Sequence, residues 1–267
     1  MKDIALPGES AASGSGAPSV ADYDRAWLRD HLQRERQEAS VLSEVREAVF
    51  GAQDGLTSVL AVVSAVGGAT GQSFPVLVAG LAATLAGIFS MAAGEFMSSK
   101  SQREIFEAQI ATEAREVEER PHEAEAEVAY LLEQEGLDSS TALRVAHDLA
   151  SKKQVLLKTM VEKELGLIVD DTNAIRGALV MGASFGLAAL VPMLPYLFLA
   201  VHVALWVSLL GSGLMLFAMG ALKSRWTGRH WLPSGLEIFF LGAVAGVAGY
   251  FFGTLLPAAL GVAGVVS

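Results

Sequence analysis

The sequence predicts an all-α integral membrane protein. Five transmembrane helices are expected, with a cytoplasmic three-helix metal-binding domain between the second and third spans. Three observations carry this. First, 52% of the 267 residues are hydrophobic and the mean hydropathy is positive, which is unusual for a soluble domain of this size. Second, charge is segregated. It lies before residue 54, between 95 and 176, and at 223–237, and the tracts between carry almost none. Third, five of the charge-poor tracts reach the roughly 20 residues that a helix rising 1.5 Å per residue needs to cross the hydrocarbon core.

Each element follows from its local pattern. Residues 1–21 are Ala/Gly/Ser/Pro-rich and cannot bury enough apolar surface to order themselves, so a disordered tail is expected. Residues 22–48 form an amphipathic helix. Tyr23, Trp27, Leu28, His31 and Leu32 recur at helical spacing among Arg25, Arg29, Arg34 and Arg36, which suits a membrane interface or a face packed on the soluble domain. Residues 49–99 hold the first span, Val49–Ala69, the loop GATGQSFP, and the second span, Val76–Met97. Composition then switches abruptly, and 100–171 reads as three charged helices. The first covers 100–119. The second opens at Pro121, which suits a first helical turn, and closes at Glu135 before Gly136. The third starts at Asp138/Ser139 and ends near Gly166. Residues 172–267 hold the last three spans: Ile175–Val191, a turn punctuated by Pro192 and Pro195, Tyr196–Leu222, the basic aromatic loop KSRWTGRHWLP, and a fifth span from Leu236 that Pro257 ends or kinks.

Composition also excludes functions. A net charge of −10 argues against nucleic acid as a partner. With no cysteine, any metal must be held by oxygen, imidazole or thioether. The acidic N-terminus lacks the apolar core of a signal peptide. No phosphate-binding glycine loop occurs, so transport would not be driven by ATP, and no enzymatic chemistry is expected. With the N-terminus cytoplasmic, Arg46, Lys100, Arg103, Arg176, Lys223, Arg225 and Arg229 all fall on the cytoplasmic side, as the positive-inside rule requires. Gly182/Gly186, Gly242/Gly246 and Gly249/Gly253 are spaced for close helix contact, within or between subunits.

The residues that could carry chemistry begin with Asp54, one turn into the first span. A carboxylate at such a position is expensive in hydrocarbon and marks a water-filled or protein-lined path. Met91 and Glu95 lie four apart near the cytoplasmic end of the second span, on one face. Oxygen and thioether together suit a borderline-soft divalent ion such as Fe²⁺ better than Mg²⁺ or Ca²⁺. A carboxylate must lose its proton to bind metal, so metal and proton compete for it. In the charged insert, Glu113/Glu116, Glu123/Glu127 and Met160/Glu164 each share a helix face, and three such faces brought together would make a carboxylate cluster with one sulfur. Two apparent motifs are set aside. Glu119-x-x-His122 has a di-iron spacing, but Pro121 puts a helix boundary between its ends. His202 reads as a polar residue bonded across helices.

The stretches FGAQDGLTSVLAVVSAV, GIFSMAAGEFMSSKSQREIFE and MVEKELGL resemble the vacuolar iron transporter family, and the resemblance runs from about Arg46 to the C-terminus. It implies a homodimer of five-span subunits that exchanges Fe²⁺, or Mn²⁺, for protons. It also implies a cytoplasmic domain that binds metal and passes it toward the pore. Carried over by motif, Asp54 and Met91 become pore residues, with Glu47 and more weakly Glu44 as entrance carboxylates. Glu113, Glu116, Glu127, Met160 and Glu164 match the domain ligands. The chain departs from the pattern at Val161, where relatives often have a second methionine, and at Ala124, where Glu123 is the available substitute. The N-terminal tail is short and lacks E-x-x-H helices, so the ferritin-like domain of some relatives is not expected.

The expected function is export of Fe²⁺, with Mn²⁺ second and Zn²⁺ a further cation to test, from the cytosol against protons. The alternative is a membrane-anchored sensor or buffer that binds iron through its acidic domain without transport. The Ala/Gly-rich composition points to a bacterial inner membrane.

Overall fold

The computed structural model describes residues 24–165 and 173–259, and every described element is helical. The expected tail at 1–21, the end of the third insert helix near Gly166 and the C-terminal residues past 259 lie outside them. In chain order the helices are α1 (Arg25–Thr70), α2 (Ser73–Glu119), α3 (Pro121–Gln134), α4 (Ser139–Ala150) and α5 (Lys153–Lys163). They are followed by α6 (Ala174–Met193), α7 (Pro195–Phe198), α8 (Val201–Thr227) and α9 (Trp231–Ala259). Five helical segments each contain a stretch long and apolar enough to cross a membrane: Glu44–Thr70, Ser73–Glu119 in its N-terminal half, Ala174–Phe198, Val201–Arg225 and Trp231–Leu255.

Helix ends obey local chemistry. The Asp24 side chain accepts from the Ala26 N–H at 3.2 Å to open α1. Gly71 closes α1 at φ 62°, a left-handed conformation that glycine adopts without penalty, and its N–H bonds the Gly67 carbonyl. Asp138 opens α4 by accepting from Ser140 Oγ at 2.6 Å and the Thr141 N–H at 3.1 Å, and these bonds pull its carboxyl down to about 2.

Two expected breaks are absent and one unexpected break is present. The amphipathic segment and the first span form one 46-residue helix, because no glycine or proline falls between residue 25 and the start of the span. The second span likewise runs without interruption into the acidic insert as the 47-residue α2. In contrast, the third insert helix is two helices. Lys152 adopts φ −131°, ψ 98° and separates α4 from α5. A single helix from 139 to 163 would be about 37 Å long, well past the end of the 14-residue α3. The turn at Ser151–Lys152 folds the chain back, so that Leu156 and Met160 reach the core built by Ala142 and Ala146.

In the bundle α1 is central and packs on α2, α6, α8 and α9. Its core includes Val59, Val63, Val76, Phe185, Ala189, Met193 and Tyr196. Glycines allow backbones to meet. A Cβ at Gly51 would collide with the Met181 carbonyl and one at Gly55 with the Phe185 carbonyl, so α1 and α6 touch main chain to main chain. Gly249 and Gly253 do the same against Ala61 and Ala65 of α1, while Gly182 and Gly186 face Ile88 and Ala92 of α2. These paired glycines therefore serve contacts inside the subunit. Pro192 lies within α6 rather than in a turn after it, and α9 continues two residues past Pro257.

Candidate metal centre

The intramembrane residues are placed by α1 and α2, which run antiparallel from the turn at Gly71–Gln72. Counted back from Thr70, Asp54 lies about 24 Å from that turn. Counted forward from Ser73, Met91 lies about 27 Å from it. They thus sit at nearly one depth. Phe185 supports this register, because Cβ atoms at both Gly55 and Gly87 would strike it. Glu47 and Glu95 form a second tier, each about 33–35 Å from the turn by the same count. Glu44 is one turn beyond Glu47.

Each of these side chains has a defined neighbour. Asp54 is half-buried and accepts from Ser58 Oγ at 2.9 Å, one turn along α1. Met91 packs against the bundle core. Glu95 is half-buried and accepts from Ser99 Oγ at 2.9 Å. Glu47 is only 7% exposed and lies against Gly177, where a Cβ would come within 2.8 Å of its Oε2. Arg46 is 4.0 Å from Glu47, and Arg176 pairs with Glu44 at 3.1 Å, so α1 and α6 are joined at this end by charge as well as by close packing.

The second group begins about 27 Å beyond Glu95 along α2, past the apolar stretch. Glu113 is buried, at 8% exposure, and Glu116 is half-buried near it. The chain turns at Arg120, which is at once the C-cap of α2 and the N-cap of α3. Glu123 and Glu127 follow on α3. Glu116, Glu123 and Glu127 each bring a carboxylate oxygen within 4.8 Å of the others, a spacing that could hold one cation. Glu164 at the end of α5 lines an open pocket with Glu123, Glu127 and Tyr130. Met160 is fully buried in the domain core.

The electrostatics agree with the crowding. Burial first, then the charges of Glu164 and Glu116, pushes the Glu113 carboxyl above its ordinary value. Burial first, then Glu116, Glu164, Glu123 and Glu113, raises Glu127. These groups hold protons more tightly than isolated carboxylates. A divalent cation would relieve the repulsion and displace the protons.

The sequence-predicted residues therefore fall into two groups: Asp54, Met91, Glu95, Glu47 and Glu44 on the two long helices within the bundle, and Glu113, Glu116, Glu123, Glu127, Met160 and Glu164 at the far end of α2. Glu123 stands with Glu116 and Glu127 although the neighbouring position is Ala124. Glu119 and His122 are separated by the α2–α3 corner, and His122 points to solvent. Sequence reasoning missed Arg120, which contacts Glu116 at 3.4 Å and Glu123 at 2.8 Å. Its signal was present: a lone cation four residues after one acid and three before another.

Known proteins are similar to this chain in sequence. A family model described as the VIT family matches residues 45–254. A protein named vacuolar iron transporter 1 from Oryza sativa subsp. japonica is 31% identical over 90% of this chain and 96% of its own length. Its namesake from Arabidopsis thaliana is 31% identical over 85% of this chain and 91% of its own length. A vacuolar iron transporter from Toxoplasma gondii is 28% identical over 90% of this chain and 82% of its own length.

Proposed function

The chain belongs to the VIT family, and from that membership we propose that it is a metal transporter, not an enzyme, that moves Fe²⁺, with Mn²⁺ second, out of the cytosol in exchange for protons. Relatives named as iron transporters over nearly their full length support the class of substrate. One observation supports the mechanism. Asp54 sits within an apolar span, and Met91 on the neighbouring span lies at nearly its depth. A carboxylate and a thioether suit a borderline-soft divalent ion. The same carboxylate takes up a proton when the metal leaves, which couples the two movements. Glu47, Glu95 and Glu44 form the entrance tier below it.

In this reading the acidic helices are cytoplasmic and collect metal through Glu113, Glu116, Glu123, Glu127 and Glu164. Met160 supplies a sulfur once its side chain turns from the core. The positive charges at Arg46, Lys100, Arg176 and Lys223 support a cytoplasmic N-terminus. The plant and parasite relatives are named for the vacuole and lend no support to the bacterial inner membrane expected from composition. We assign the assembly as a homodimer. The apolar half of α2 is largely exposed within the chain, which leaves Phe74, Val78, Leu81, Leu85 and Phe89 for a second copy or for lipid.

The test is uptake into proteoliposomes of purified protein with Fe²⁺ kept reduced, a pH dye inside, and Mn²⁺ and Zn²⁺ in parallel. Metal entry coupled to proton movement is expected. Binding of Fe²⁺ without flux in correctly oriented protein would replace this reading with that of a metal buffer.

A further inference from the structure

We propose that Arg120 is a resident counter-ion of the carboxylate cluster, which a divalent metal must displace and which keeps monovalent cations out. The inference rests on the metal-binding reading of the domain. Two of the three carboxylates that converge within 4.8 Å, Glu116 and Glu123, are the two that Arg120 contacts, Nη2 to Glu116 Oε2 at 3.4 Å and Nη1 to Glu123 Oε2 at 2.8 Å.

The backbone holds Arg120 in this position. Its N–H bonds the Glu116 carbonyl at 2.7 Å, and its own carbonyl accepts from the N–H groups of Glu123 and Ala124 at 3.0 and 3.1 Å. The guanidinium is thus tethered to the corner where α2 and α3 bring the acids together. Glu116 first, then Glu123, further stabilises its charge, so it does not leave by deprotonation.

A tethered cation competes at an effective concentration that free monovalent ions do not match. Na⁺ or K⁺ would exchange one positive charge for another and lose a paired hydrogen bond. A divalent ion gains because it carries twice the charge and draws in Glu127, with which Arg120 makes no ion pair among the described residues. Arg120 is therefore a specificity-determining residue. It does not ligate the metal, and it raises the concentration at which metal loads.

The experiment is calorimetric titration of Fe²⁺, kept reduced, into the full-length protein in detergent at low and high KCl. The domain's share of binding is defined as the part lost in Glu127→Gln. Arg120→Gln is expected to tighten that part about three- to tenfold at low salt, the range for losing one or two exposed ion pairs, and to make it more sensitive to KCl. Arg120→Lys keeps the charge but not the two-pronged contact and is expected to move the same way by less. Folded Arg120→Gln protein that binds as the wild type does, or more weakly, overturns the proposal. If that variant loses its helicity, unchanged or weaker binding in Arg120→Lys does so instead. Absence of any component lost in Glu127→Gln would overturn the metal-binding reading itself, and this inference with it.

Discussion

The membrane bundle and the acidic domain share one helix, α2, but are held together by different means. In the bundle, backbones meet through Gly51, Gly55, Gly249 and Gly253. Several polar side chains there are satisfied within their own helix: Asp54 by Ser58, Glu95 by Ser99, and Thr84 by the Gly80 carbonyl. In the domain, ion pairs cross between helices, Glu118 to Lys153 and Glu135 to Lys163, with a hydrogen bond between Glu125 and His147, over a core of alanines with Val117, Val128, Leu132, Leu156 and Met160. Lipid offers helices no hydrophobic reason to associate, so the bundle depends on shape. The domain has water outside it, so a modest apolar core and charge placement suffice. The cluster at Glu113–Glu127 is the exception, because its acids outnumber the neighbouring Arg120 and the remaining charge opposes folding until a further cation neutralises it.

This contrast predicts separable defects. The largest belongs to Asp54→Ala: flux in proteoliposomes falls to background while calorimetric Fe²⁺ binding by the domain is kept. Retained flux would remove Asp54 from the mechanism. Met160→Ala comes next. Deleting a fully buried side chain should cost the domain about 2–5 kcal/mol. Met160→Leu should cost under about 1.5 kcal/mol, so a loss of Fe²⁺ affinity in that variant isolates the sulfur. Gly55→Val forces a side chain against the Phe185 carbonyl and should destabilise the bundle by up to about 3 kcal/mol. Hydrogen exchange should show α1 and α6 loosened and α3 unchanged, and equal loosening of both regions would break the comparison.

The smallest effect is one of pH. The Glu113 carboxyl is raised above its ordinary 4.5 in the fold, so its contribution to stability is complete below that value and is lost as pH rises through the folded-state value. Metal-free Glu113→Gln protein should therefore melt about 2–4 °C above wild type at neutral pH, with the gap closing toward mildly acidic pH. A gap that widens on acidification would contradict the sign.

Much of this was legible in the sequence. Five spans followed from apolar length alone. The acid pairs followed from i,i+3 and i,i+4 spacing, which fixes a helix face whatever the tertiary fold. The continuity of α1 and α2 was harder to see, because a change of composition resembles a change of element although nothing in the backbone stops there. The α4–α5 break had no glycine or proline to announce it, since tertiary packing imposes it at Lys152. The partners of Glu47 and Glu44 on α6 could not be read from a local pattern, being some 130 residues away in the chain.

The unbroken course of α2 also sets a compass bearing. Glu95 and Glu113 are five turns of a 3.6-residue helix apart, so they leave its axis in the same direction, about 27 Å from one another. Met91 and Glu116 fall in the same sector, roughly 60° wide. The residues at the bundle end and those at the acidic end are thus in phase, like marks ruled along one edge of a rod. One residue inserted between them would swing the lower marks by about 100°, leaving both ends intact and facing different ways.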